Sequence, residues 1–564
     1  MKGINPVTME NNNRSNYKNG FMIAIVLVFL SIASVLLLTV YEIIGNYRTN
    51  AVRMSVSSQL EVDALNTLNT GIGYMRTKSA GVLGFNVTFQ SLTPTWFNDF
   101  YGKLSQEWKN FINTSVLRNS HFTVIDITDS TNNSQGDFPV NELRTYFNDR
   151  KLSRVTISVF RMNNPLKVFI VSRIEKNNQT AYAYGVITSK LLNQYVYFTN
   201  RETSSTFGTI YFKSGELIDG PMRTHDYINI NNAGGVPVFT STVEFLGIKN
   251  PQGQVVPEGQ YSNFANLQGN PAYRILNNDD ISRLDFSSIK NDYKTKLQTL
   301  VRDYSAIKAS PSVLSGIKFT GDVTVSFNHG QSGSNYDVKI SQGTTDYIIT
   351  WNPSPPNARL RKQGGGSAEE TDILFNGIIS ATGNITVDGP TALSTYKGNY
   401  TLFAEGDIIL KDRIIPYNTY TNKFTANEHG NNGDPVSNAQ VQDIKNFVSS
   451  NETSSLNLVA INNVRIGQKL DDMKIFASIY AFDGSFQVDG YNTGSSAGQL
   501  FVLGSIMQNY RGPVGTFNPF TGQTTTGYYK TYSYDPRILT GAYQPDGTPT
   551  KSGTISLKVV GIVH

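Results

Sequence analysis

The chain has 564 residues, of which 39% are hydrophobic and only 16% are charged, so it is too long for one ordinary domain and apolar enough to build real cores. A net charge of +5 over this length, with no basic run interleaved with aromatics, excludes a strong electrostatic field and argues against a nucleic-acid partner. The absence of cysteine excludes disulfides, cysteine-ligated zinc and thiol catalysis.

The first element in chain order is an apolar segment, Phe21–Val40, that contains no charged residue, proline or glycine. Twenty helical residues span about 30 Å, the thickness of a bilayer's hydrocarbon core. The unbroken length favours a retained transmembrane helix over a cleaved signal peptide, whose apolar core is shorter. We therefore expect residues 1–20 to be a cytoplasmic leader. The C-terminal bulk is then expected outside the cytoplasm, on the inner membrane, in the periplasm or at the cell surface.

The leader ends in Lys18-Asn19-Gly20, and the apolar run begins at Phe21. This junction resembles that of type IV prepilins, and the resemblance covers residues 15–80. It implies cleavage by a peptidase between Gly20 and Phe21. Major pilins carry a glutamate where this chain has Ile25, so the resemblance implies a minor or assembly subunit rather than an ordinary shaft subunit. A plain signal anchor followed by a juxtamembrane helix is the alternative interpretation.

A second feature predicts that the helix continues beyond the membrane, over residues 21–78. Apolar side chains recur at alternating spacings of three and four, which places them on one face of a helix. The members of this assembly stripe are Tyr47, Met54, Leu65, Leu68, Ile72 and Met75. The segment that ends in Gly71-Ile72 resembles a stretch of PilX-type pilus-assembly proteins. In this interpretation the stripe packs against pilin-like or assembly subunits.

The middle of the chain changes from helical to strand-like patterns. Residues 80–200 alternate apolar and polar residues and are rich in β-branched residues, which predicts a small α+β domain. Short strands at close intervals predict a first β-rich solenoid segment over residues 205–275. Its phrase from Gly220 to Ile230 also resembles PilX-like proteins. Residues 276–310 are predicted to form a helical insertion.

Residues 312–564 repeat one phrase, a short apolar strand, a polar or glycine corner and a second strand. The predicted corners are Asn384, Asp407, Asn463, Gly484 and Ser505, at intervals of 23, 56, 21 and 21 residues. This period is typical of a β-solenoid or parallel β-helix, with an insertion in the longest interval; a β-sandwich is the alternative. The stretch 504–537 resembles the end of a bacterial domain of unknown function that follows pilin-like N-termini, and we expect buried ion pairs among Arg511, Asp535 and Arg537.

The predicted fold class is therefore mainly β with a long N-terminal α-helix. It comprises a transmembrane helix, a small α+β domain and a β-solenoid-like domain with helical insertions.

Two sequence features are candidates for catalytic chemistry. Gly494–Gly498 matches the G-x-S-x-G pattern of hydrolases, which requires a strand before it and a helix after it. Parallel β-helix enzymes cleave polysaccharides with paired carboxylates, but aspartate is also an ordinary corner residue. The carboxylates considered are Asp407, Asp412, Asp471, Asp472 and Asp483. We predict no enzyme, no catalytic residue, no metal site and no cofactor.

These observations predict a non-enzymatic, membrane-anchored, minor-pilin-like or pilus or secretion-system assembly protein that displays a large extracytoplasmic β domain. Its expected partners are the membrane and pilin-like or assembly subunits. The alternative is a membrane-tethered envelope adhesin, or a glycan-binding or glycan-active β-helix protein, whose partner would be a surface glycan.

Overall fold

The computed structural model describes residues 42, 58–69, 91, 93–126, 152–162, 167–191, 194–204, 206–278, 281, 286–330, 337–351, 354–364, 368–424, 433–540 and 550–563. The helices of these residues are α1 (residues 58–69), α2 (Phe97–Lys103), α3 (Gln106–Ser115), α4 (Phe286–Gln298), α5 (Tyr304–Ala309), α6 (Tyr417–Lys423), α7 (Asn438–Asn451) and α8 (Pro536–Thr540), with a 3₁₀ helix at Glu258–Asn263.

The strands up to the end of the first β-rich segment are β1 (Val116–Asp126), β2 (Arg154–Met162), β3 (Lys167–Lys176), β4 (Gln179–Leu191), β5 (Tyr197–Arg201), β6 (Thr203–Ser204), β7 (Gly208–Thr209), β8 (Phe212–Lys213), β9 (Leu217–Asp219), β10 (Met222–Thr224), β11 (Tyr227–Asn231), β12 (Val238–Phe239), β13 (Val243–Phe245), β14 (Gly247–Lys249), β15 (Asn266–Leu267) and β16 (Tyr273–Ile275). The strands that follow are β17 (Val301–Arg302), β18 (Ser315–Phe319), β19 (Val323–Phe327), β20 (Val338–Gln342), β21 (Thr345–Trp351), β22 (Asn357–Gln363), β23 (Glu369–Ala381), β24 (Ile385–Val387), β25 (Leu393–Tyr396), β26 (Asn399–Ala404), β27 (Ile408–Leu410), β28 (Arg413–Pro416), β29 (Ser455–Ala460), β30 (Val464–Ile466), β31 (Met473–Ala481), β32 (Phe486–Val488), β33 (Ser496–Tyr510), β34 (Gly515–Phe517), β35 (Thr524–Tyr534) and β36 (Thr550–Val563).

The predicted fold class is wrong in its N-terminal part. The described residues form a mostly β protein without a long N-terminal helix, and none of their helices is long and apolar enough to cross a membrane. The predicted transmembrane segment, 21–40, lies outside the described residues. Within the predicted helix 21–78, the structure describes α1, which buries Leu60, Ala64 and Leu68 and exposes its opposite side. This is the pattern of a helix packed against protein rather than lipid.

A small antiparallel sheet follows α1 in the chain. Its strand order is β1-β2-β3-β4-β36, so the last described strand of the chain pairs with β4. Helices α2 and α3 cover one face, where Phe97 and Phe100 are fully buried beside Phe160 and Tyr182. Aromatic pairs at these centroid distances stabilise the packing beyond the area they bury. The chain therefore leaves this small sheet at β4 and returns to it at β36.

Most of the remaining strands form a stack of parallel coils, which we call the coil stack, and an antiparallel excursion, β19-β20-β21-β22-β23, projects from it. Strands of successive coils pair in parallel and in register, so that like side chains lie one above another. One such interior column consists of Ile379, Leu402, Leu458, Ile479 and Ile506, each no more than 1% exposed. Burying an aliphatic side chain of this size contributes roughly 1.5–3 kcal/mol, so these columns supply the core that a cysteine-free chain needs.

The spatial order of the coils differs from their order in the sequence. The first arm, residues 194–275, winds from β5 through β10 and β13 to β16. The second arm, residues 301–534, winds from β18 through β23, β26, β29 and β31 to β33. Strand β5 pairs with β33, and β9 pairs with β35. The first arm therefore sits on the last coil of the second, and we call their junction the seam.

Helix α4 carries the chain from one arm to the beginning of the other. Its buried residues pack on a row of outward-facing side chains from successive coils. The row consists of Phe198, Met507, Tyr480, Val459, Phe403 and Ile378. Six strands 4.7–4.9 Å apart extend about 24 Å, and thirteen helical residues rise about 20 Å, so α4 matches the coils it crosses. Ion pairs from Lys290 to Asp483 and from Lys294 to Glu405, at 2.8 and 2.7 Å, fasten it to two coils.

Candidate ligand-binding site at the seam

A ladder of polar side chains turns the chain at one corner of the coil stack. Each side-chain oxygen accepts a hydrogen bond from the backbone N–H of the next coil, at 2.7–3.0 Å. The acceptors are Asp322, Asn384, Asp407 and Asn463, and the ladder ends at Ser485, whose backbone N–H donates to Asn463. Short polar side chains suit such corners because their oxygens reach nearby backbone donors.

This ladder contains three of the five predicted corners. Asn384, Asp407 and Asn463 are members, whereas the ladder ends at Ser485 rather than at its neighbour Gly484. Ser505 lies inside the long strand β33 and is not a corner. The 56-residue interval between Asp407 and Asn463 contains α6 and α7, which lie on the outside of the stack.

The seam is held by charged groups that are excluded from water. Arg511 Nη1 pairs with Glu202 Oε2 at 2.9 Å, and the two side chains are 2% and 0% exposed. Arg511 Nη2 donates to the carbonyl of Tyr211 at 3.1 Å, and its guanidinium lies 3.7 Å from the Phe212 ring centroid. Burial raises the pKa of the Glu202 carboxyl, and the charge of Arg511 opposes that rise. The pair thus links the first arm to the second through a fully dry contact.

A second buried pair lies beside it. Lys530 Nζ donates to Glu216 Oε1 at 2.6 Å, with side chains 7% and 1% exposed. Burial lowers the pKa of Lys530 to about 8, and the charge of Glu216 opposes this fall. Asp219 completes the seam by accepting from Ser533 at 2.6 Å and from Lys445 at 2.7 Å. Burial by itself would raise the pKa of the Asp219 carboxyl, but these hydrogen bonds outweigh it and the pKa is lowered.

The seam opens on one side into a cavity of about 290 Å³ that we call the aromatic cleft. Its walls include the aromatic residues Phe207, Tyr211, Tyr491, Phe517 and Tyr528. The charged residues Lys213, Glu216 and Lys530 also line the cleft, and we call them its base because each is no more than 6% exposed. A few polar groups converging at the base of an apolar cavity are typical of ligand sites.

A second cavity of about 440 Å³, the polar cleft, lies next to it. The two share Phe207, and the polar cleft is otherwise lined mainly by hydrogen-bonding side chains. These are Thr206, Asp407, Asn462, Asn463, Asp483, Ser485 and Tyr510. Amides, carboxylates and hydroxyls in this arrangement can both donate to and accept from a hydroxyl-rich ligand.

Two of the five carboxylates considered in the sequence, Asp407 and Asp483, line the polar cleft. Each already has a cationic partner, because Asp407 pairs with Arg465 at 2.9 Å and Asp483 pairs with Lys290 at 2.8 Å. Asp407 acts as a corner residue, because its Oδ1 accepts from the backbone N–H of Asn463. Asp483 instead fastens helix α4 to the stack through Lys290.

The other three carboxylates do not line this cleft. Asp412 is buried and accepts from Ser394 at 2.7 Å, and burial raises the pKa of its carboxyl. Asp472 Oδ1 accepts from the backbone N–H of Gln499 at 2.7 Å. The carbonyl oxygen of Asp471 accepts from Arg413.

The G-x-S-x-G match does not have the surroundings of a nucleophile elbow. Ser496, its central serine, is the first residue of strand β33, and the motif is followed by that strand rather than by a helix. The Ser496 hydroxyl accepts from the N–H of Gly498 at 3.3 Å. We therefore interpret the motif as a strand-entry loop.

The residues predicted for processing and assembly lie mostly outside the described residues. These are Gly20, Phe21, Tyr47, Met54, Ile72 and Met75. Of the stripe, Leu68 is buried and Leu65 is half-buried on α1. The Asp535–Arg537 pair forms at 2.6 Å, whereas Arg511 pairs with Glu202.

Sequence reasoning missed Glu202, Lys213, Glu216 and Lys530. Each stands in a short strand-like stretch of ordinary composition, and the Arg511–Glu202 hydrogen bond joins residues 309 positions apart. The aromatic content near Tyr491 and Phe517 was the one visible signal of a cleft.

Comparison with known proteins adds little. No protein-family model matches the chain, and the search of curated proteins finds no match either. Among solved structures, the competence-associated pilin ComZ from Thermus thermophilus is similar at 11% identity, over 73% of this chain and 84% of that chain, with a TM-score of 0.29. This is a distant likeness to a pilin and not a match to PilX-type proteins.

Proposed function

We propose that this protein is a non-enzymatic component of a type IV pilus or related secretion system, of the minor-pilin-like or assembly class. Its C-terminal bulk lies outside the cytoplasm, at the inner membrane, and displays the coil stack as a head that binds partner subunits or ligands. We interpret that stack as a β-solenoid. The Gly20-Phe21 junction in the sequence is the observation that carries the pilin-like part of this proposal.

The topology supports display of the coil stack as a head. Strand β36 pairs with β4, so the chain enters and leaves the stack through the same small sheet. Both connections reach the stack near the seam, because β5 follows β4 and β36 follows β35. We therefore interpret the small sheet as the base of the head.

Mass spectrometry of the N-terminus tests the pilin-like part. We expect a mature chain that begins at Phe21 when the protein is made together with a prepilin peptidase. The variant Gly20→Val should keep its leader, whereas Asn19→Ala should be processed normally. A wild-type chain that still begins at Met1 would argue against the proposal, as would cleavage beyond Val40.

A second candidate function is that of an envelope adhesin that binds glycans. The observation that favours it is the adjacency of the aromatic and polar clefts, which share Phe207. Glycan-binding sites combine flat apolar surfaces with hydrogen-bonding groups, and both are provided here.

Binding of the full-length chain in detergent to a panel of neutral and acidic polysaccharides tests this candidate. Release of reducing sugar, lost in Asp407→Asn and Asp483→Asn, would instead indicate a glycan-active enzyme. Absence of both binding and sugar release would remove the candidate.

A further inference from the structure

The base of the aromatic cleft contains an ammonium group with spare hydrogen-bonding capacity. Lys213 is only 5% exposed and lines the cleft. Within the described part of the chain its Nζ donates to one acceptor, the carbonyl of Ser214, at 3.3 Å. An ammonium carries three donors, and leaving buried donors unsatisfied is costly. A bound acceptor in the cleft would satisfy them.

The charges around this ammonium favour an anion. Lys530 and Glu216 form a 2.6 Å pair and neutralise each other, and Arg511 and Glu202 do the same behind them. Burial lowers the pKa of Lys213, and the charge of Glu216 opposes this fall. The three cations Lys213, Lys530 and Arg511 thus face two carboxylates, which leaves one excess positive charge beside the cleft. In a partly dry cavity such a charge attracts an anionic group more strongly than it would in water.

The walls of the cleft present two aromatic pairs. Phe207 and Tyr491 meet edge to face at 6.0 Å, and Tyr211 and Phe517 do so at 6.4 Å. All four rings are half-buried, so part of each faces the cavity. The loop that follows Phe517 carries Phe520, which is 87% exposed. Such rings pack against a flat apolar surface such as the C–H face of a sugar ring.

The polar cleft adjoins the aromatic cleft at Phe207, which lines both. Asn462, Asp483 and Tyr510, none of them fully buried, present an amide, a carboxylate and a hydroxyl there. These groups suit the vicinal hydroxyls of a second sugar. The two clefts meet at Phe207 and together offer a cation, aromatic faces and hydroxyl partners.

We propose that the two clefts bind an acidic polysaccharide, with one carboxylated sugar in the aromatic cleft, its carboxylate on Lys213, and the adjoining sugar in the polar cleft. This inference rests on the glycan-binding function proposed above. To that function it adds the negative charge of the ligand and the cleft in which its charged sugar lies.

Titration calorimetry with the full-length chain in detergent tests the inference. The probes are tetragalacturonate, a hyaluronan tetrasaccharide and their methyl esters, which retain the sugar rings but lack the charge. Wild-type protein should bind at least one acid tenfold or more tightly than its ester, since a charge-assisted hydrogen bond is about that strong. Lys213→Met should lose this preference, and Phe207→Ala should weaken acid and ester alike. Lys249→Met is the matched control, because Lys249 lies over the Tyr227 ring, 4.7 Å from its centroid, outside the cleft.

Each outcome decides something. Preference for the acid that disappears in Lys213→Met supports the inference. Equal binding of acid and ester by wild-type protein overturns the inference and leaves the glycan-binding function standing. No binding of any sugar in the wider panel overturns both. The acid–ester comparison uses wild-type protein only, so it remains decisive if Lys213→Met fails to fold.

Discussion

Replacing Arg511 by methionine is the sharpest test of the seam. Methionine keeps the aliphatic volume but removes the guanidinium, which leaves the Glu202 carboxylate, 0% exposed, without its cation. Removing one partner of a buried pair costs about 3–5 kcal/mol. The hydrogen bond to the Tyr211 carbonyl contributes about 1 kcal/mol more. We therefore expect Arg511→Met to destabilise the coil stack by about 4–6 kcal/mol.

The double variant Arg511→Met/Glu202→Leu separates the charge from the contact. Replacing both partners of a buried pair by apolar groups of similar size is often neutral, so the double variant should recover most of the loss. Arg359→Met is the matched control, because Arg359 and its partner Asp372 have side chains 50% and 68% exposed. Exposed pairs of this kind contribute little, and its melting temperature should match wild type.

Scanning calorimetry measures the effect, with hydrogen exchange of the β5 amides as a local readout of the seam. At about 2 °C for each kcal/mol in a large domain, Arg511→Met should melt roughly 8–12 °C lower, with β5 exchanging faster. A double variant as unstable as Arg511→Met would refute the reasoning, since the loss could then not come from an unpaired Glu202.

Three further predictions follow from buried polar groups. Among the described residues the Tyr293 hydroxyl is buried without a hydrogen-bond partner, so Tyr293→Phe should raise stability by about 1 kcal/mol in urea unfolding. Tyr182→Phe, which loses a 2.8 Å hydrogen bond to Asp99, should lower the stability. A loss of stability in both variants would contradict the assignment of the Tyr293 hydroxyl as unpaired. Burial raises the pKa of Tyr197, Tyr293 and Tyr400 in the folded protein. In the unfolded chain these tyrosines ionise at about pH 10, whereas in the folded protein they stay protonated at that pH. Their contribution to the free energy of unfolding is thus complete below about pH 10 and is lost as the pH rises further. Urea unfolding midpoints that stay constant from about pH 9 to 11.5 would rule this out. Asn463→Ala leaves the buried N–H of Ser485 without its 3.0 Å acceptor, and it should lower the free energy of unfolding by about 1–3 kcal/mol. The control Asn422→Ala, on the exposed side of α6, should lower it by less than half of that.

The candidate site was only partly visible in the sequence. Asp407 and Asp483 stood out as carboxylates near corners, and both line the polar cleft. Their roles were not visible, because the pairing of Asp483 with Lys290 depends on where α4 crosses the stack. Lys213 gave no signal, since nothing in its neighbourhood shows that Phe517 and Lys530 will line one cavity with it. The aromatic cleft exists because two distant segments meet.

The amino-acid sequence alone determined the local features of the β region. Polar corners such as Asn384 and Asp407 are recognisable because a short side-chain oxygen must reach the next backbone N–H. The coil period is recognisable because apolar residues must point inward at every turn. The N-terminal prediction failed by the same kind of reasoning, because hydropathy over 21–40 was extended to a long helix that the described residues do not show.

Only the tertiary structure decided the order of the arms, the seam and the clefts. Strand β5 pairs with β33 although hundreds of residues separate them, and every edge of a parallel coil offers the same backbone donors and acceptors. Local sequence therefore does not say which edge meets which. The choice is made by complementary groups such as Glu202 and Arg511, which are close together only once both arms are wound.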